Sequence, residues 1–179
     1  MTDCVQLVIM KALTTHLEAI NNIPVYNSGT LASLAGKVYR GRTVFSASDE
    51  GPFLSILEAK KPDDLKVPEA GSDYVTRYEP WHLLLQGFMP DDPNNPTDGL
   101  YNFKALVENR LALIVAEDQR TGQVIDPVSY RLGGLIADLR YAPGVVRAAS
   151  QTTGQVESFF LPVVLFFAIN LADTFTPQQ

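Results

Sequence analysis

Sulfur, histidine and charge are all scarce in this chain. A single cysteine, Cys4, excludes a disulfide within the chain, so the protein does not need an oxidising compartment. Two histidines, His16 and His82, with that one thiol fall short of a usual structural zinc site. Charged residues make up 19%, and 14 Lys+Arg against 20 Asp+Glu leave a net charge of −6 and a pI near 4.8. A protein that wraps phosphate needs a basic face, so this balance argues against a nucleic-acid reader. The signature motifs of catalysis are missing too. There is no Gly-rich phosphate loop, no G-x-S-x-G, no H-E-x-x-H and no C-x-x-C, and Gly133-Gly134 lack the spacing of a dinucleotide fingerprint. Met1 to Met10 has no basic region of the kind that opens a signal peptide. The most apolar stretch, Ser158 to Ala172, is shorter than the ~20 residues of a membrane helix and is broken by Pro162 and Asn170, so no membrane span is expected.

The apolar content, by contrast, is ample. At 46% hydrophobic the chain is no disordered polymer, and 179 residues suit one domain spanning 1–179. Val5, Val8, Ile9, Ala12, Leu13, Leu17 and Ile20 form a stripe of 3.6-residue period, which predicts a helix capped by Thr2 or Asp3 and ended by Asn21-Asn22 and Pro24. His16 lies beside that stripe and reads as a histidine packed at the helix boundary. Thr30 to Gly36 is ambiguous. Lys37 to Ser46 reads as a strand, Gly51-Pro52 as a turn, and Phe53 to Glu58 as the returning strand. Lys60 to Asp73 is a polar, Pro-rich loop. Tyr74 to Phe88 predicts a long strand with Trp81, Leu83 and Leu85 on one face and His82, Leu84 and Gln86 on the other; Pro80 suits an edge. After the acidic loop Met89 to Pro96, a helix capped by Thr97 or Asp98 is expected to reach about Asp118. Asp126-Pro127 then opens a second helical pattern over Val128, Leu132, Leu135, Ile136 and Leu139. Val145 to Ser150 reads as a short strand and Glu157 to Thr174 as a long one, apolar on both faces. The predicted order is α-β-β-β-α-α-β-β, an α+β domain whose mostly antiparallel or mixed sheet is flanked by helices.

Few residues suggest chemistry. Tyr39-Arg40-Gly41-Arg42 offers either an anion site or the water-facing side of a strand. Asp63-Asp64 and Asp91-Asp92 pair carboxylates in loops, as ion ligands or as solvated charge. Cys4 and His16 stand three helical turns apart, too far for a nucleophile and its base.

A family pattern runs through most of the chain. It begins with the amphipathic helix and the strand Val38-Tyr39-Arg40-Gly41-Arg42-Thr43-Val44-Phe45. A proline turn leads into Pro52-Phe53-Leu54-Ser55-Ile56-Leu57-Glu58. A long strand ends Leu83-Leu84-Leu85-Gln86-Gly87-Phe88, before an Asn-, Asp- and Pro-rich loop and a helix. A long apolar strand then closes with Asp173 to Pro177. This resembles the tail terminator proteins of long-tailed bacteriophages, also called minor tail or tail-completion proteins, in which R-G-R precedes a strand like L-P-x-L-S-I-x-E. Residues 60–73 and 119–156 match nothing in that pattern.

The resemblance implies a non-enzymatic virion protein without cofactor or metal. It would form a ring, a hexamer in this family, on the last ring of the tail tube, stop tube growth and join the tail to the head connector. The implied partners are its own copies, the tail tube protein, connector or neck proteins, and genomic DNA sliding past without sequence recognition. The implied location is the virion neck, after assembly in the host cytoplasm. On this reading Phe159, Leu161, Val163, Leu165 and Phe167 are expected at the subunit interface. Tyr39, Arg40, Arg42, Asp63, Asp64 and Lys66 are expected at axial partners, and Asp91 and Asp92 in the lumen, where acid repels phosphate. The alternatives are another neck protein, for head completion or head–tail joining, and a small-ligand-binding or enzymatic α+β domain.

Overall fold

In a computed structural model, the structure describes residues 3–26, 30–43, 45, 49, 51–59, 76–90, 92, 94–148 and 156–176. Helix α1 (Val5–Glu18) follows the apolar stripe, and Val5, Ile9, Leu13 and Leu17 are buried. Its N-cap is Cys4, with no side-chain cap bond. Of the two expected caps, Thr2 lies outside the described residues, and the Asp3 carboxylate instead pairs with the Lys11 ammonium across two helical turns. A two-stranded ribbon, β1 (Ile23–Pro24) with β2 (Leu31–Ala32), occupies the region left ambiguous above.

Among the described residues the main sheet has six strands. Along it run β3 (Val38–Arg40), β4 (Phe53–Glu58), β5 (Thr76–Pro90), β8 (Val156–Asn170) and β6 (Asp138–Tyr141), and β7 (Val145–Arg147) also pairs with β8. The α+β class with a mixed sheet is thus as expected. Two details differ. The first strand is three residues long, and it pairs parallel to β4, Val38 opposite Leu54, rather than as a hairpin. The chain between them therefore has to cross back over the sheet. Phe45 shows the path: its ring stacks on Phe53 at 4.2 Å and leans on Phe88 at 4.8 Å.

Strands β5 and β8 pair antiparallel along all fifteen residues of each. Register assigns the two faces. Leu83, Leu85 and Gly87 stand opposite Val163, Leu161 and Phe159, and all are buried. Helix α2 (Asp98–Ala112) supplies Leu100, Phe103, Val107 and Leu111 to the same core, and the Phe103 ring meets Phe159 edge-on at 5.2 Å. Helix α2 packs on β5 and β8, and α1 packs on β3 and α2, so both long helices sit on this inner face. Trp81 closes its rim, edge-on to Phe167 at 5.9 Å.

Pro80 and Pro162 sit inside the long strands where a donor is dispensable. Pro80 lies opposite Phe166 and beyond Leu83, where β4 stops pairing, so that side of β5 is a local edge among the described residues. Pro162 falls between the ladders of β6 and β7 on the flank of β8. Its carbonyl accepts from Ala142 N–H at 3.0 Å on that flank. Its missing N–H points the same way, into the break between the two short strands.

Between α2 and β6 the expected helices are corrected. Helix α2 ends at Ala112, six residues before the anticipated Asp118. Thr97 is the N-cap, without a side-chain cap bond, and Asp98 is the first helical residue. Asp126 does cap a turn, its Oδ1 accepting from the N–H groups of Val128 and Ser129, but no long helix follows. The helical element here, α3 (Arg131–Gly134), is four residues long and has positive φ throughout, at 51, 53, 72 and 86°. Right-handed propagation stops there. Leu132, Ile136 and Leu139 still reach the core, with Leu139 doing so from β6. Their helical spacing arises from a left-handed turn followed by a strand. Strand β6 was not anticipated.

Candidate functional site

The outer face of the sheet carries the even-numbered residues of β5 and β8. His82, Leu84 and Gln86 stand opposite Val164, Pro162 and Phe160, with Phe166 and Ala168 continuing the row. Pro162 is exposed and the others are half-buried. At the strand flank, the Arg140 guanidinium lies 5.1 Å from the Phe166 ring centre, and that of Arg147 lies 5.5 Å from Phe160. Such contacts cover a phenyl face while keeping the charge in water.

This corrects the expected interface. Phe159, Leu161, Val163, Leu165 and Phe167 are each at most 1% exposed in the single chain and are filled against its own helices. They are core, and the alternate row of β8 is the one open to a neighbour. A strand apolar on both faces does not reveal which face its own helices take. The distinguishing signal lies in β5, where His82 and Gln86 mark the face opposite Leu83 and Leu85.

The β3 end of the outer face is closed by the crossing chain. Ser55 Oγ donates to the Arg42 carbonyl at 2.5 Å, and Ser55 is fully buried. The Arg42 guanidinium lies 4.7 Å from both the Tyr39 and Phe45 ring centres and pairs with Asp49 at 2.6 Å. Arg42 and Tyr39, two of the expected partner contacts, are thus occupied in holding this loop down. Arg40 is exposed, on the helix side of the sheet by its register with Ile56. Asp63, Asp64, Lys66 and Asp91 lie outside the described residues.

Asp92 lines a cleft of ≈ 180 Å³ at the end of the sheet where β5 finishes and β8 starts. Its Oδ1 accepts from Asn94 N–H at 2.9 Å, in a turn leading to α2. Pro24, Tyr26, Pro90 and Pro96 form walls, and Glu157 lies among them at 1% exposure. Sequence reasoning passed over Glu157. Its one signal is phase: it falls in the odd-numbered row of β8 that faces the core.

His16 is buried and ties the two long helices together. Its Nε2 donates to the Arg110 carbonyl at 2.6 Å, and Arg110 Nε donates to the His16 carbonyl at 2.8 Å. The first bond requires the proton on Nε2, because a carbonyl only accepts. Desolvation holds the imidazole pKa below its ordinary value, opposed by that same bond. His16 is a packed structural histidine, as expected. In the exposed turns beyond α2, Asp118 is held below the usual carboxylate range by the N–H groups of Thr121 and Arg120. Asp126 is held low chiefly by the Ser129 hydroxyl.

Among the described residues, no group of three or more His, Cys, Asp or Glu is arranged to hold a metal ion. Nor is any helix long and apolar enough to cross a membrane; the apolar stretch considered above is the central strand β8. No protein-family model matches the chain, and no curated protein resembles it significantly.

Proposed function

We propose that the protein is a structural, non-enzymatic ring subunit of a phage tail, with the role of a tail terminator. The sequence pattern described above supports the family. The observation that carries the subunit reading is the outer sheet face. There Leu84, Phe160, Val164 and Phe166 stay partly exposed on the two longest strands, while both long helices cover the other side. A contiguous apolar face of this kind is favourable to cover with another protein surface. In a closed ring one neighbour would supply that cover, and the few net negative charges of each chain would repeat around the axis.

The test is native mass and electron microscopy of the purified chain at high concentration, together with a Val164→Asp variant. The expected result is a closed ring, a hexamer on the family pattern, that Val164→Asp disperses to folded monomers. Tails assembled without the protein should be overlong. A monomer in solution together with monomeric density in the particle would overturn the ring, and tails of normal length without it would overturn the terminator role.

A further inference from the structure

We propose that the outer sheet face of one copy is covered by the exposed side of α2 of the next copy, with Asp98 of that helix set against Arg147 of the receiving sheet. The inference rests on the ring reading and names the surface that meets the sheet.

The two surfaces belong to opposite layers of the subunit. Helix α2 packs on the inner face, so its far side points away from the sheet whose outer face is open. A contact between unlike surfaces is head-to-tail, the kind that closes into a ring, and it gives each sheet helices on both faces. The composition of α2 fits this role. Its exposed residues, Asp98, Tyr101, Asn102, Ala105 and Asn109, recur at helical spacing and include one charge. The solvent side of a surface helix ordinarily carries more charge, whereas the centre of an interface is poor in charge and rich in tyrosine. Tyr101 is 57% exposed. The two cations of the helix are engaged within the chain, Lys104 with Glu108 at 2.8 Å and Arg110 with the His16 carbonyl at 2.8 Å.

Charge and height fix the register. Among the described residues neither Arg147 nor Asp98 has an ion pair within its own chain, and both are exposed. Arg147 stands opposite Ser158, in the outer row, with its guanidinium over Phe160. Gly99, beside Asp98, approaches the Met89 side chain, and Met89 stands opposite Glu157. Both charges thus lie at the end of the sheet where β5 finishes and β8 starts. A neighbour set layer on layer, without sliding along the strands, brings the carboxylate to the guanidinium, and complementary rim charges of this kind set register. Two outer faces set against each other lack that match among the described residues, because the Asp138 carboxylate in the outer row is already paired with Arg140.

The test is a charge swap in the full chain, read by sedimentation velocity and native mass, with circular dichroism as the check on folding. Arg147→Asp and Asp98→Lys each set like charges together at every contact and should weaken self-association by roughly tenfold or more. The double variant should recover it. So should an equimolar mixture of the two single variants, because a ring with an even number of copies can alternate them. Ala105→Glu, in the middle of the exposed side of α2, should disperse the ring as Val164→Asp does, whereas Thr15→Glu, exposed on α1, should not. Wild-type association in both single variants and in Ala105→Glu would overturn the α2 contact and leave the ring itself standing. Failure of both the double variant and the mixture to recover would overturn the Asp98–Arg147 pairing, and dispersal by Thr15→Glu but not by Ala105→Glu would transfer the contact to α1. A wild type that is monomeric both in solution and in the particle would overturn the ring and this contact together.

Discussion

Adding one methyl group at each of two glycines should give opposite results. Gly87 lies in β5 directly opposite Phe159 in β8. A Cβ built there falls 2.8 Å from Phe159 Cδ1 and closer still to Cε1 and Cζ. The ring has nowhere to go, because Phe103 of α2 meets it edge-on and both side chains are fully buried. Overpacking of a tight core typically costs ~1–3 kcal/mol. A domain of this size loses ~2–4 °C of Tm per kcal/mol, so Gly87→Ala should melt about 2–12 °C below the wild type. At Gly99, in the first turn of α2, the same methyl would lie 2.8 Å from Met89 Sδ and 3.2 Å from its Cε. That neighbour is a flexible thioether tip, which yields at small cost. Replacing Gly by Ala in a helix also gains up to ~1 kcal/mol. Gly99→Ala should therefore be neutral or slightly stabilising. Calorimetry on both variants, with urea unfolding as a check, measures the difference. Phe159→Leu in the Gly87→Ala background should recover part of the loss, giving a coupling of at least ~0.5 kcal/mol. If Gly87→Ala melts with the wild type, Phe159 is not seated as described, and if Gly99→Ala costs as much as Gly87→Ala, Met89 does not yield as argued.

Three further outcomes follow from the same structure. Phe167→Ala, on the inner face, should cost ~3–5 kcal/mol in denaturant unfolding, and Phe166→Ala, on the outer face, markedly less; equal costs would contradict the assignment of faces. Burial holds the folded pKa of His16 below the unfolded value of ~6.5. The unfolded chain therefore takes up the proton first, and stability should be full above pH ~6.5 and fall between there and the folded pKa, by up to ~1.4 kcal/mol per pH unit. His16→Gln should flatten that dependence, and an unchanged slope would assign it elsewhere. Arg131 holds φ at 51°, a region costing an L-residue ~1–2 kcal/mol, so Arg131→Gly should leave Tm unchanged or raise it, and a loss above ~1 kcal/mol would mean that the side chain itself is needed.

What could be read from the sequence was whatever local pattern decides. The stripe from Val5 to Leu17 has one apolar side, so its period alone places the helix, and the alternation of Phe53 to Glu58 and of β5 places strands for the same reason. Failures came where a second partner decides. Direction of pairing is one such case: nothing in Val38–Arg40 distinguishes a parallel from an antiparallel neighbour, because the choice depends on a crossing chain anchored by Phe45, Arg42 and Asp49. Backbone hand is another. Leu132, Ile136 and Leu139 satisfy helical spacing, yet the chain takes a left-handed turn through Gly133-Gly134 and continues as a strand. The cleft was invisible because its walls come from β1, β5, the turn before α2 and β8, segments far apart in the chain.

Pro80 and Pro162, inside the two long strands, bear on how the subunit can associate. Sheets join most readily edge to edge, through unpaired N–H and C=O groups. Here the described open stretch of β5 carries Pro80, which lacks a donor, and the opposite flank of β8 is taken by β6 and β7 on either side of Pro162. The outermost strands are short: β3 has three residues, β7 three and β6 four. Edge pairing is thus disfavoured at the places where the long strands would otherwise offer it. The outer face is different, with partly exposed Leu84, Phe160, Val164 and Phe166 spread over strands whose inner rows anchor them to the core. Association through a face leaves both ladders intact and is selected by side chains. A single buried charge, as in Val164→Asp, should therefore break assembly without unfolding the subunit, whereas edge-mediated assembly would tolerate that substitution and respond instead to changes in β3 or β7.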